Sequence, residues 1–209
     1  MLADLSYTIA DTSAYLSALP LLVGLLSRRW HSQGQRLLFY LVVAVCTTEL
    51  LSYLVRKTDF LQPIIYYFFT IFEFNILLLI FRQALVPFIQ NKWFLIAGIS
   101  FTCFVILDML VLSGFDQFNT YSAAVESLLL ISMSLIFFYK TLRDLSIEHL
   151  ERSSIFWISV AVILYFSSSL FIFLFSNQVQ YSLDALYILW GCTESLISCT
   201  ISFTVLRYG

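Results

Sequence analysis

Seven apolar runs, each about as long as a bilayer-crossing helix and each joined to the next by a short polar connector, leave this chain of 209 residues few ways to fold. The runs are 10–27, 37–55, 64–81, 93–112, 121–140, 155–175 and 185–206. A hydrocarbon core of roughly 30 Å takes about 20 residues of helix at about 1.5 Å per residue. Lipid offers the backbone no hydrogen bonds, so an apolar run that enters it must pair its own amides and carbonyls, which a helix does within one segment. The connectors RRWHSQGQR, RKTDFLQP, RQALVPFIQNK, SGFDQFNT, TLRDLSIEHLERSS and SNQVQYSLD are too short to fold separately. The expected architecture is all-α: one polytopic membrane domain over residues 1–209, a seven-transmembrane-helix bundle with the lipid bilayer as its outer solvent.

Charge supports that reading and excludes others. Charged residues make up 11% of the chain, where a soluble domain carries about 25%. The net charge is −2 and no basic face gathers, so a nucleic-acid partner is not expected. Lys and Arg are instead distributed by side. With the N-terminus outside, the cytoplasmic side holds Arg28, Arg29, Arg36, Arg82, Lys92, Lys140, Arg143, Arg152 and Arg207, and the outer side only Arg56 and Lys57. Positive residues favour the cytoplasmic side, which gives N-out, C-in. Trp30, Trp93 and Trp157 fall near the cytoplasmic helix ends, while Trp190 lies deeper and is read as facing the bundle. No Lys or Arg precedes Arg28, so the first run reads as a retained helix rather than a cleavable signal. Only Pro20 among the three prolines falls inside a run, so unbroken helices are expected.

Against this apolar background, and apart from Asp11 at the very edge of the first run, five carboxylates stand inside the runs: Glu49, Glu73, Asp108, Glu126 and Glu194. Each costs about 2.5–3.5 kcal/mol at a helix centre on insertion scales. Apart from Lys140 at the end of the fifth run, no Lys or Arg accompanies them within the runs. Glu49, Asp108 and Glu126 fall in the outer third, close enough to the interface for Glu49 and Asp108 to be solvated, and Glu73 and Glu194 fall near the middle. Helical spacing adds Tyr66, Phe69 and Thr70 to the face of Glu73, Ser122 and Met133 to that of Glu126, and Ser52, Tyr53 and Arg56 to that of Glu49. Tyr187, Gly191, Ser198 and Ser202 line the face of Glu194, and Tyr165 with Ser167, Ser168 and Ser169 adds to similar depth on the sixth helix. One outward-opening polar cavity accounts for these positions. Its expected lining is Glu73, Glu194, Glu126, Glu49, Asp108, Tyr66, Thr70, Tyr165, Tyr187, Trp190 and Ser198, with Glu73 and Glu194 as its floor. The plainer alternative is that each acid is protonated and bonds across helices as part of packing. Asn75 points away from Glu73 around the helix and is expected to belong to packing.

Enzyme chemistry is not expected. His31 and His149 are the two histidines, both in connectors, so a bilayer-depth zinc hydrolase or a Ser–His protease lacks its residues. Only Asp108 could serve an intramembrane aspartyl pair, and no lysine sits mid-helix for a retinal. No phosphate-binding glycine loop or calcium loop occurs. Cys46, Cys103, Cys192 and Cys199 lie inside apolar runs without a CxxC pair and read as small hydrophobes. No cofactor and no metal site is expected. The segment KTLRDLSIEHLERSS alternates in charge and reads as a solvated extension, or as a docking surface for a cytoplasmic partner. The fifth and seventh runs share VESLLLISMS and TESLISCTIS, a weak sign of a three-helix duplication.

Three stretches carry a resemblance: YYFFTIFEF with Glu73, VESLLLI with Glu126, and SSIFWISVAVILYFSSSLFIFLFSN with Phe156, Trp157 and Tyr165. In these the chain resembles a set of small seven-helix inner-membrane proteins of bacteria. The resemblance implies a seven-helix fold, residence in the bacterial inner membrane and an association with signalling. It supplies no ligand and no catalytic residue. The expected function is that of a receptor or sensor, binding a small molecule, a cation or protons in the outer cavity and passing a helix shift to a membrane or cytoplasmic signalling partner. A small proton- or cation-coupled transporter and a structural subunit of a membrane complex are the alternatives.

Overall fold

A computed structural model describes residues 20–23, 33–55, 61–86, 88–113, 119–144 and 153–176; of Tyr53 and residues 171–176 it describes the backbone alone. The described residues are helical with no strand. They form α1 (Gln33–Val55), α2 (Leu61–Leu85), α3 (Asn91–Leu107) continued by a π-helical turn (Asp108–Leu112), α4 (Thr120–Asp144) and α5 (Ser154–Ser176). Four stretches are long and apolar enough to cross a membrane: Gln33–Ser52, Leu61–Leu85, Asn91–Leu112 and Thr120–Asp144. Residues 20–23, from the first predicted run, are helical too. The rest of that run and nearly all of the seventh lie outside the described residues.

The helices overrun the expected spans at nearly every end. α2 begins at Leu61 rather than 64 and runs to Leu85 rather than 81, and α1 begins at Gln33 rather than 37. Backbone pairing continues past the hydrocarbon until another partner competes, whereas hydropathy marks only the apolar part. Pro63 is therefore inside α2, not in a connector. It sits in the first turn, where no carbonyl one turn back awaits its missing N–H. The expectation of unbroken helices also fails at one place. The fourth run ends in a π turn, with the Ser113 amide donating to the Asp108 carbonyl at 3.0 Å, five residues back.

Named contacts fix the topology. Gly34 of α1 lies beside Gln83 of α2, so these two helices run antiparallel. Phe74 of α2 stacks on Phe101 of α3 with centroids 4.0 Å apart. Asn75 Nδ2 reaches Thr102 Oγ1 at 3.4 Å, and Gly98 faces Asn75 and Leu78, so α3 is antiparallel to α2. Lys140 Nζ near the end of α4 donates to the Ala84 carbonyl at 2.6 Å, near the end of α2, so these two run parallel. There it satisfies one of the terminal carbonyls that a helix leaves open. Phe138 of α4 meets Phe156 of α5 edge to face at 5.7 Å.

α2 is the hub and touches all four other helices. Its Phe74, Phe81 and Leu85 are fully buried, with Val105 of α3 and Leu130 of α4 closing the same core. The perimeter is the reverse of a soluble surface: Phe68, Leu95, Val111 and Leu142 are all about two-thirds exposed or more. An apolar rim of this extent needs an apolar solvent.

The α2–α3 contact depends on Gly98. A Cβ built there would lie 3.0 Å from Asn75 Oδ1 and 3.2 Å from a Leu78 methyl. Gly98→Ala should be close to neutral, because better helix propensity offsets the tight contact. Gly98→Leu should force the helices apart and destabilise by about 2–3 kcal/mol, readable as a lower unfolding midpoint in detergent.

Candidate functional site

The polar residues of the bundle meet where α3 ends and α4 begins. A helix start leaves its first amides unpaired, and α4 receives its acceptor from another segment. Asp108 Oδ2 accepts the Ser122 amide at 3.0 Å and also the Ser122 hydroxyl. Asp108 Oδ1 accepts from Ser113 Oγ at 2.7 Å. The π turn thus folds Ser113 back over the carboxylate while presenting the carboxylate to the α4 N-terminus, where a negative charge also suits the helix dipole. Asp108 has no exposed surface, so the expectation of an interfacial, solvated acid is corrected. A carboxylate with its acceptor sites taken by protein donors does not need water.

A second strut lies beside the first. Asn119, just before α4, donates from Nδ2 to Thr70 Oγ1 on α2 at 2.5 Å. One turn back on α2, Tyr67 is 1% exposed. Its hydroxyl is buried near Ser113 and Asp108, too far or too oblique for a well-formed hydrogen bond to a described residue.

Farther along both helices lies the acid pair. Glu73 of α2 and Glu126 of α4 are 9% and 3% exposed, and their carboxyls are electrostatic neighbours. Among the described residues Glu126 Oε1 is buried without a hydrogen-bond partner. On α1, Ser52 is also buried with an unpartnered hydroxyl, one turn from half-buried Glu49. Three unpartnered polar atoms on three helices, Ser52 Oγ, Tyr67 Oη and Glu126 Oε1, therefore fall in the half of the bundle that carries the acids.

Of the expected lining residues, the structure brings together Glu73, Thr70, Glu126 and Asp108. Tyr66, Glu49 and Tyr165 are half-buried, and Tyr165 packs against the core through its ring neighbour Phe166 at 4.8 Å. Glu194, Tyr187, Trp190 and Ser198 lie outside the described residues, so the expected Glu73–Glu194 floor does too. Sequence reasoning missed Tyr67, Ser113 and Asn119. α2 is apolar on every side, which hides that Tyr67, not Tyr66, turns inward. Ser113 and Asn119 sit in a connector that reads as solvated, although an Asn directly ahead of a helix start was a usable capping signal. Asn75 does belong to packing, as expected: Nδ2 donates to the Ile71 carbonyl at 2.8 Å and toward Thr102 on α3.

Two clefts are described and neither is lined by the acid pair. One, of about 270 Å³, lies between α1, α2 and α5, with Gln33, Gln83 and Ser154 on its wall. The other, of about 450 Å³, runs along the α2–α3 groove past Asn75, Arg82 and Gly98. Among the described residues no three His, Cys, Asp or Glu side chains converge as a metal set. The acid site is built, among the described residues, of buried carboxyls and hydroxyls. Comparison with known proteins finds no family model, no curated protein and no solved structure that matches this chain.

Proposed function

We propose that this protein is an integral membrane sensor of seven spans that takes up protons or a small cation at Glu73 and Glu126 in its outer half. The observation that carries the reading is Glu126 Oε1, buried beside a second carboxyl with no donor to satisfy it. An unsatisfied buried acceptor costs about 1–3 kcal/mol, and more for a charged group. An occupant removes that cost, and occupancy would therefore bias how α2 and α4 pack.

Charge placement supports an orientation with the N-terminus outside and the C-terminus cytoplasmic. The five described Lys and Arg residues, Arg36, Arg82, Lys92, Lys140 and Arg143, stand at one end of the helices, Glu49, Asp108 and Glu126 lie toward the other, and Glu73 is at the middle of α2. The basic end is the cytoplasmic one by the positive-inside bias. On this reading the membrane is a bacterial inner membrane, as the sequence resemblance implies, and a membrane or cytoplasmic signalling partner receives the helix shift.

A sensor is favoured over a transporter by what lies on the basic side of the acids. Between α2 and α4, Phe81, Leu85, Leu130 and Phe137 are buried on that side, and the buried hydroxyls of Ser134 and Thr141 bond their own helix at Leu130 and Phe137; the clefts at that end lie along α1, α5 and α3 instead. An ion leaving the acid pair in that direction meets packed aromatic and aliphatic side chains.

The test is infrared difference spectroscopy on the full chain in lipid nanodiscs. One series varies pH at fixed salt and another varies monovalent cation at fixed pH. A carboxyl band that responds in either series and disappears in Glu73→Gln and Glu126→Gln supports the proposal. A silent spectrum in both series, or a response that survives the double substitution, overturns it.

A further inference from the structure

The α2–α3 groove is separate from the acid site, and its geometry points to a specific ligand. We propose that it holds one anionic phospholipid from the leaflet at the basic end, with an acyl chain along the groove and the phosphate at Arg82.

Length argues for an acyl chain. The groove follows α3 from Asn91 to Cys103, about 18 Å at about 1.5 Å per residue, and one leaflet of hydrocarbon is about 15 Å deep. It therefore runs from the interface to the region of the midplane. Its walls are Leu78, Leu79, Phe94, Leu95 and Ile99. Its deep end is polar in composition but already satisfied: Asn75 donates to the Ile71 carbonyl and toward Thr102, and Thr102 Oγ1 donates to the Gly98 carbonyl at 2.8 Å. The Asn75 amide nitrogen and the Thr102 hydroxyl are thereby engaged within the protein.

Charge argues for an anionic headgroup. Arg82 and Asn91 stand at the mouth. Arg82 is exposed, and no described carboxylate pairs with its guanidinium. Lys92 follows Asn91 and lies over the exposed Trp93 ring at 5.9 Å. Tryptophan at a helix end marks headgroup level, so the cationic mouth and the interface coincide. A guanidinium there offers paired donors to a phosphate, and basic pockets between spans at the cytoplasmic face suit anionic headgroups.

Native mass spectrometry of the delipidated full chain, with phosphatidylglycerol or phosphatidylcholine of identical chains added back, tests this. One bound phosphatidylglycerol is expected, preferred about fivefold over phosphatidylcholine, the preference that one basic residue near an anionic surface supplies. Arg82→Gln should erase the preference, Arg82→Lys should keep part of it, and Ile99→Trp should remove retention of both lipids by filling the groove. Equal binding of the two lipids, or a preference unchanged in Arg82→Gln, overturns the headgroup assignment. Competition by soluble glycerol phosphate, or an Ile99→Trp chain that retains lipid as before, overturns the acyl-chain assignment. A dimer that Ile99→Trp dissociates would place a second copy in the groove and overturn the proposal as a whole.

Discussion

Asp108→Ala should unfold the bundle roughly 6–12 °C earlier than the native chain, the shift that a loss of about 3 kcal/mol produces at this size. The carboxylate holds three donors, and they are not equivalent. The Ser113 and Ser122 hydroxyls can rotate toward other acceptors. The Ser122 amide cannot: it belongs to the first turn of α4, which offers it no carbonyl of its own. Asp108→Asn separates the two contributions. An amide oxygen can still accept the Ser122 N–H, and the amide nitrogen can donate to a reversed Ser113 hydroxyl, so this variant should lose only about 1 kcal/mol. The expected order in thermal unfolding is native, then Asn, then Ala. If Asn proves as damaging as Ala, the carboxylate charge matters more than the cap, and Asp108 would have to be counted with the acid pair.

That contrast shows where the sequence was legible. Hydropathy located all five described helices, because each crosses an apolar medium and its composition records that medium directly. It misplaced their ends, as at Gln33 and Leu85, because the backbone ladder outlasts the apolar stretch by up to a turn or so. Asn75 was assigned correctly, since the angle between two positions on one helix depends on helical geometry alone. Partners on different helices were less accessible. Depth along the sequence paired Glu73 with Glu194, which lies outside the described residues, and did not show that the Asn119–Thr70 and Asp108–Ser122 contacts set a register that brings Glu126 to Glu73. SGFDQFNT offers Asn119 as a capping residue, but it does not announce that Ser113 and Asn119 act as struts, because that role depends on how α2, α3 and α4 approach each other. Likewise Asp108 reads as one more acid until the π turn is seen to aim it at a helix terminus.

Glu126→Leu is expected to do the opposite of Asp108→Ala: leave the bundle as stable as before, or more stable by about 1–3 kcal/mol, while cancelling the infrared response. Asp108 is surrounded by donors, so its removal orphans them. Glu126 keeps an oxygen that nothing satisfies, and its nearest charge neighbour is another carboxyl, so its removal relieves an unfavourable burial. Leucine is close in volume and is bordered by Leu130 and Val125, both part of the core. Glu73→Gln should give a smaller gain, and the double variant should gain less than the two single changes together, because each alone already removes the contact between the carboxyls. A non-additivity of about 1 kcal/mol in chemical denaturation would measure that contact. A loss above about 2 kcal/mol in Glu126→Leu would mean instead that the acid bonds across helices as ordinary packing, and the sensor reading would fall with it. A gain in Glu126→Leu is the outcome that the proposed proton or cation site requires, because a residue whose removal steadies the fold is kept for something other than the fold.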